Sequence, residues 1–164
     1  MCIRDRSCFG PEGYQTISFE LAENQGIVDD IFIPVSSGAS LLGVARGFKK
    51  IGFLPRIHAC QGAAVCPIAS LFDKNFKAEK ESLARALVAK YTPLKDEIIE
   101  VIRESGGTGW VIGNQAIAEA QSILEGRGIK TSAEGALALA AFRKTKNSGY
   151  SLGKSVCLLT GSHS

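Results

Sequence analysis

The run Ile31-Phe32-Ile33-Pro34-Val35, followed at once by Ser36-Ser37-Gly38-Ala39-Ser40, constrains this chain more than any other stretch. An unbroken apolar run of this length reads as a strand buried on both faces, which requires helices to cover it. The small residues then lead straight into residues 41–50, which read as a helix. A strand that turns through small residues into a helix N-terminus can serve as an anion site. Backbone N–H groups come within reach of a phosphate, and the helix dipole favours negative charge. A plain strand-to-helix connection looks the same in sequence, so the loop alone leaves both readings open.

The rest of the chain repeats this alternation. Residues 13–26 carry Ile17, Leu21 and Ala22 at helical spacing, with Gly26 as a stop. Gly52 and Pro55 end the helix of residues 41–50, and residues 56–61 read as a second strand. A short helix is expected over residues 63–72, with Pro67 near its start, and a partial helix over 79–89. Residues 95–105 place Ile98, Ile99 and Ile102 on one helical face, which Gly106 and Gly107 close. Residues 108–113 give a third strand, and Asn114 is the expected N-cap of an amphipathic helix through Leu124. Ser132-Ala133-Glu134 opens an Ala-rich helix over 135–146, and residues 154–160 read as a fourth strand. Helix and strand in alternation predict an α/β fold: a mostly parallel sheet with helices on both faces.

Composition excludes several functions. With 164 residues, 45% hydrophobic and 21% charged, the chain suits one globular domain. The net charge of +3 is spread out, and the aromatics (eight Phe, three Tyr, one Trp) do not alternate with basic residues. Nucleic-acid binding has no support in that pattern. No apolar run approaches the ~20 residues of a membrane span. Cys2, Cys8, Cys60, Cys66 and Cys157 are odd in number and lack metal-ligand spacing, so no metal site is expected and a reducing, cytoplasmic setting is. Cys60 and Cys157 sit in apolar runs as small hydrophobes, and Cys66 has no partner in sequence. The opening residues 1–7 have neither a signal-peptide core nor any periodicity, and resemble translated adapter sequence. Residues 1–8 are therefore expected to be a non-native or disordered extension, with the domain, itself a fragment, running from 9 to 164.

In open α/β sheets ligands collect beyond the carboxyl ends of strands. Two such ends here carry small hydroxylated residues, Ser36 to Ser40 and Thr160 to Ser162. One suits a phosphate, and the other offers a hydroxyl to the far end of the same ligand. Ordinary loops remain the alternative.

Several blocks in order resemble the threonine synthases, pyridoxal-phosphate enzymes of the tryptophan synthase β-like fold (fold type II). These blocks are residues 10–23, the Ile33 to Ser40 stretch, Gly47-Phe48-Lys49-Lys50, Pro55-Arg56-Ile57 and Gln61-Gly62-Ala63-Ala64. They continue with residues 96–99, 102–107, 133–141 and 158–162, so the likeness runs from about Phe9 to the end. The resemblance implies that this is the C-terminal half of such an enzyme, part of its large domain, acting on a small amino-acid substrate. The reaction implied for the whole protein is O-phosphohomoserine plus water to threonine and phosphate. Ser36, Ser37, Gly38, Ala39 and Ser40 would hold the phosphate of pyridoxal 5'-phosphate. Thr160 would sit by the pyridine nitrogen, with Ser162 in the same turn and Glu134 near the cofactor. A homodimer is usual among such proteins.

The chain departs from the family pattern in three places. Its loop has Ser36, Ser37 and Ala39 where Gly-Asn-Gly-Gly is common, so the backbone angles must suit residues that carry a Cβ. The turn Thr160-Gly161-Ser162-His163-Ser164 replaces Thr-Gly-Ser-Gly-Leu-Lys. No lysine has the apolar neighbours of a Schiff-base lysine, so no catalytic residue is expected in this chain. His58 reads as a strand residue, and neither it nor His163 forms a hydrolytic triad. Other readings of the same residues are a threonine or serine dehydratase, another β-replacement enzyme of this fold, or a non-catalytic phosphate-binding module.

Overall fold

The computed structural model describes residues 10–161; residues 1–9 and 162–164, and with them the expected extension, Ser162 and His163, lie outside the described residues. The elements are α1 (Gln15–Gln25), β1 (Asp30–Pro34), α2 (Ala39–Ile51), β2 (Arg56–Gly62) and α3 (Lys95–Glu104). They are followed by β3 (Thr108–Ile112), α4 (Asn114–Glu125), α5 (Ala133–Asn147) and β4 (Ser155–Cys157). All strand pairs are parallel, in the order β3-β2-β1-β4.

Strand periodicity divides the core into two layers. Ile31, Ile33, Ile57 and Ala59 face one side and pack with Leu41, Leu42, Val44 and Phe48 of α2 and with Ile98 and Ile102 of α3. Phe32, Cys60, Trp110 and Ile112 face the other and pack with Ile117 and Ala120 of α4 and the alanines of α5. Helices thus cover both faces, as the unbroken apolar run of β1 requires. Helix α1 lies behind α2, where the buried Ser18 hydroxyl donates to the Val44 carbonyl at 2.6 Å.

Four local expectations are corrected. Residues 63–72 hold only a 3-10 turn at Ala69–Leu71. The buried Gln61 Oε1 accepts the Ile68 and Ala69 N–H groups, each at 2.9 Å, and so removes donors a longer helix would use. Residues 79–89 form no helix. Asn114 is not the cap of α4: Gly113 occupies that position, and the Glu79 carboxylate accepts the Asn114 N–H with both oxygens at 3.0 Å. Strand β4 stops at Cys157 rather than continuing to 160. Among the described residues no helix is long and apolar enough to cross a membrane.

Candidate cofactor site

The strand order fixes where the sheet opens. From β1 the chain crosses by α2 and α3 to β2 and β3, then returns through α4 and α5 to β4 on the opposite side of β1. The order therefore reverses between β1 and β4, and a crevice opens at their carboxyl ends. Residues 36–40 follow β1 into this crevice, and Thr160 and Gly161 enter it after β4.

In the first loop Gly38 has φ +92° and caps α2, with no side chain bonded across the cap. Gly38 is the loop's only positive-φ residue, so Ser36, Ser37 and Ala39 keep ordinary backbone angles despite their Cβ atoms. A Cβ at Gly38 would lie 2.0 Å from Ile98 Cδ1, so the loop packs tightly on α3. The Leu42 N–H is bonded back to the Gly38 carbonyl at 3.0 Å. The N–H groups of Ala39, Ser40 and Leu41 precede that first turn and point out of the helix end, as anion donors do. Gly38 and Ala39 are buried, and Ser36, Ser37 and Ser40 are half-buried.

A strap formed by residues 79–94 crosses this loop. The Ser36 hydroxyl donates to the Ala86 carbonyl at 3.4 Å, and the Ala86 N–H donates to Glu134 Oε1 at 3.0 Å. The Thr92 hydroxyl donates to the Ser37 carbonyl. Asn114 grips the strap from α4, accepting from Leu83 N–H and donating to the Glu81 carbonyl, both at 2.8 Å. The second turn docks on the start of α5: Gly161 O accepts from the Thr131 hydroxyl at 3.1 Å and from the Ser132 N–H at 3.4 Å. Gly161 has φ +97°, and a Cβ there would lie 2.6 Å from Ser132 Oγ. That Oγ is buried and has no hydrogen-bond partner among the described residues.

The structure therefore joins Ser36, Ser37, Gly38, Ala39, Ser40, Glu134 and Thr160 around one crevice, through Ala86, Thr92, Thr131 and Ser132. Sequence reasoning missed these four connecting residues. Ala86 acts through its peptide group and leaves no side-chain signal. The set suits a ligand with a phosphate at one end, met by free helix N–H groups, and a neutral acceptor at the other, met by the Thr160 hydroxyl.

The lysines are placed differently. All of them are exposed or half-buried. Lys144 spends its N–H groups on Asp73 at 2.5 Å, the Val111 carbonyl at 2.9 Å and the Asn75 carbonyl at 3.0 Å. Burial pushes the Cys157 thiol up to about 12 and raises Cys60 well above the ordinary range, as suits inert core thiols. Cys66 is half-buried and also raised by burial. Among the described residues no group of acidic, His and Cys side chains is placed to hold a metal.

Residues 6–161 match the family model described as pyridoxal-phosphate dependent enzyme. The chain belongs to that family. Pyridoxal phosphate is the cofactor this membership indicates, and the donors around the crevice suit it. No curated protein matches the sequence. Among solved structures, a maize serine racemase is similar at TM-score 0.75 and 24% identity, over 93% of this chain and 48% of that one. A serine racemase from Dictyostelium discoideum gives 0.76 and 20%, over 96% and 51%. A threonine deaminase from the organism abbreviated T.th. gives 0.76 and 20%, over 97% and 59%. These likenesses establish the fold type II architecture. The chain spans about half the length of these structures.

Proposed function

We propose that this chain is the cofactor-holding half of a threonine synthase-like enzyme, whose whole protein converts O-phosphohomoserine and water into threonine and phosphate. The observation that supports this reading is the linkage Ser36–Ala86–Glu134, which ties the loop after β1 to the start of α5, where the turn after β4 docks. In this reading the N–H groups of residues 39–41 and the hydroxyls of Ser36, Ser37 and Ser40 hold the 5'-phosphate. The Thr160 hydroxyl donates to the pyridine nitrogen, and Ser162 belongs to the same turn. Glu134 fixes the Ala86 peptide at the rim. Bound here, pyridoxal phosphate supplies an electron sink for carbanion chemistry on an amino acid. A neutral hydroxyl leaves the ring nitrogen largely unprotonated, which suits elimination and replacement at the β and γ carbons. The catalytic amine comes from a part of the whole protein that residues 10–161 do not supply, and the whole enzyme is a homodimer working in the cytoplasm.

A threonine or serine dehydratase is the second reading. It is favoured by the threonine deaminase and serine racemases among the similar structures. Product analysis of the complete enzyme separates the two: threonine plus phosphate from O-phosphohomoserine, or a 2-oxo acid from threonine or serine.

The binding site is tested on this chain with 4-deoxypyridoxine 5'-phosphate, which has no aldehyde to react with surface lysines. Calorimetry should show binding at least tenfold tighter than that of 4-deoxypyridoxine, which lacks the phosphate. Ser40→Asp places a carboxylate in the first turn of α2, where it favours the helix but repels phosphate. It should weaken binding at least tenfold with no loss of thermal stability. Equal binding of the two probes, or an unaffected Ser40→Asp variant, would sink the assignment.

A further inference from the structure

A second polar cluster lies near the amino ends of the strands, away from the crevice. Asp30 and His58 are wholly buried. Arg56 clamps both Asp30 oxygens from Nε and Nη2 at 2.7 Å each, and the Gly153 N–H adds a bond at 2.8 Å. His58 Nε2 lies 2.9 Å from Asp30 Oδ1, and Trp110 Nε1 lies 3.3 Å from His58 Nδ1. An indole N–H can only donate, so Nδ1 must be the acceptor and carries no proton. The single proton of a neutral His58 is then on Nε2, donated to Asp30. The hydrogen bonds select one tautomer and exclude the imidazolium, whose Nδ1–H would oppose the Trp110 N–H.

The surroundings give that imidazolium little compensation. Asp30 is already paired with Arg56, which stands over the Tyr150 ring at 5.6 Å. The remaining neighbours are the stacked Phe32 ring at 4.5 Å, the edge-on Tyr150 ring at 5.5 Å and the Cys60 thiol, which reaches the His58 carbonyl at 3.5 Å. Asp29, also near Arg56, is occupied by the Lys154 N–H at 2.6 Å. Burial pulls the imidazole below its ordinary value of 6.5, outweighing the hydrogen bond and charge of Asp30.

Three sides of His58 belong to strands β1, β2 and β3 in the sheet interior. The fourth is residues 148–154, the connection from α5 to β4, which contributes Tyr150 and Gly153. It leads to the weakest strand, β4, which has three residues, all half-buried, and three register pairs. Hydrating a protonated His58 requires a cover to lift, and this cover is the least anchored. We propose that the Asp30–His58–Trp110 cluster is an acid-sensitive latch, whose protonation at His58 Nδ1 releases residues 148–157 from β1. The turn that follows β4 would be loosened with it.

Amide hydrogen exchange on this chain by NMR, corrected for the intrinsic pH dependence of exchange, tests the latch. The Leu158 N–H donates to the Phe32 carbonyl at 3.0 Å and reports release of β4. The Ala63 N–H donates to the Ile112 carbonyl at 2.8 Å and reports the carboxyl end of β2 and β3. Below about pH 6.5 one proton taken up on opening lowers Leu158 protection about tenfold per pH unit. Ala63 protection should stay level, and the fluorescence of the sole tryptophan should fall with Leu158 protection. His58→Gln keeps a neutral donor and acceptor and should flatten the Leu158 profile; His58→Asn serves if the first variant does not fold. Level protection of Leu158 in the parent chain would overturn the latch. So would the same fall in the folded variant, or an equal fall at Ala63.

Discussion

Asp73 and Lys144 hold together parts of the chain that no regular element connects. Asp73 Oδ2 accepts the Val111 N–H at 2.9 Å and Lys144 Nζ at 2.5 Å, which fastens the segment after the 3-10 turn to β3 and to the end of α5. The Asp73 side chain is 5% exposed and that of Lys144 27%. Asp73→Ala would leave a buried N–H and an ammonium without their anion. Fully buried pairs lose about 3–5 kcal/mol when broken, and hydration of the partly exposed Lys144 reduces this to about 2–3 kcal/mol. The loss should appear as a lower urea midpoint at unchanged slope, with Asp73→Asn recovering part of it because an amide oxygen still accepts. Gly161 is constrained twice, by its φ of +97° and by Ser132 Oγ beside the missing Cβ. Gly161→Ala should cost about 1–3 kcal/mol for the backbone alone. Adding Ser132→Ala should restore only the steric share, a coupling that a double-mutant cycle measures.

Among the elements, the strap over residues 79–94 departs most from what its composition suggests. Its Glu, Lys, Ala and Leu content favours a helix in isolation. In the fold its polar groups are taken elsewhere: Glu79 caps α4, Ser82 Oγ accepts the Ala84 N–H at 3.1 Å, and Asn114 holds Glu81 and Leu83. Ala84 is buried as an anchor. Tertiary hydrogen bonds override propensity here, as Gln61 does over residues 63–72. The elements read correctly, such as β1, α2 and α3, are those where apolar periodicity and a closing glycine agree with the tertiary packing. Glu79→Ala removes the cap of α4 and should cost about 1 kcal/mol. It should also speed proteolytic cutting between residues 75 and 92, whereas Glu79→Gln, which keeps an acceptor oxygen, should fall between the two. Equal cutting of all three proteins would mean that the strap is held without Glu79.

At the scale of the whole molecule, both loops of the crevice were legible, because each small-residue turn follows an apolar run. Their meeting was not legible, since it depends on β4 returning to the open side of β1 after α4 and α5 pack on the opposite face. The polar cluster at the other end was hidden for the same reason: Asp30, His58, Trp110 and Gly153 are far apart in sequence and joined by strand order. That cluster also shapes the response of global stability to acid. His58 has an ordinary value of 6.5 and lies lower in the fold, so below pH 6.5 the unfolded chain takes up the proton first. Stability from this group is present above 6.5 and declines by up to about 1.4 kcal/mol per pH unit below it, until the folded group titrates. Burial pushes the Asp30 carboxyl up, but the bonds from Arg56, His58 and Gly153 together hold it below its ordinary 3.8. Its contribution is present above 3.8 and is lost as pH falls through the lower folded value. Urea unfolding between pH 7.5 and 3 should therefore show two successive declines, of which His58→Gln removes the upper and Asp30→Asn the lower. At pH 7.5 Asp30→Asn should already cost about 3 kcal/mol, because it strips Arg56 of its buried counter-charge. An upper decline that persists in His58→Gln would assign it to other groups and leave His58 a structural residue only.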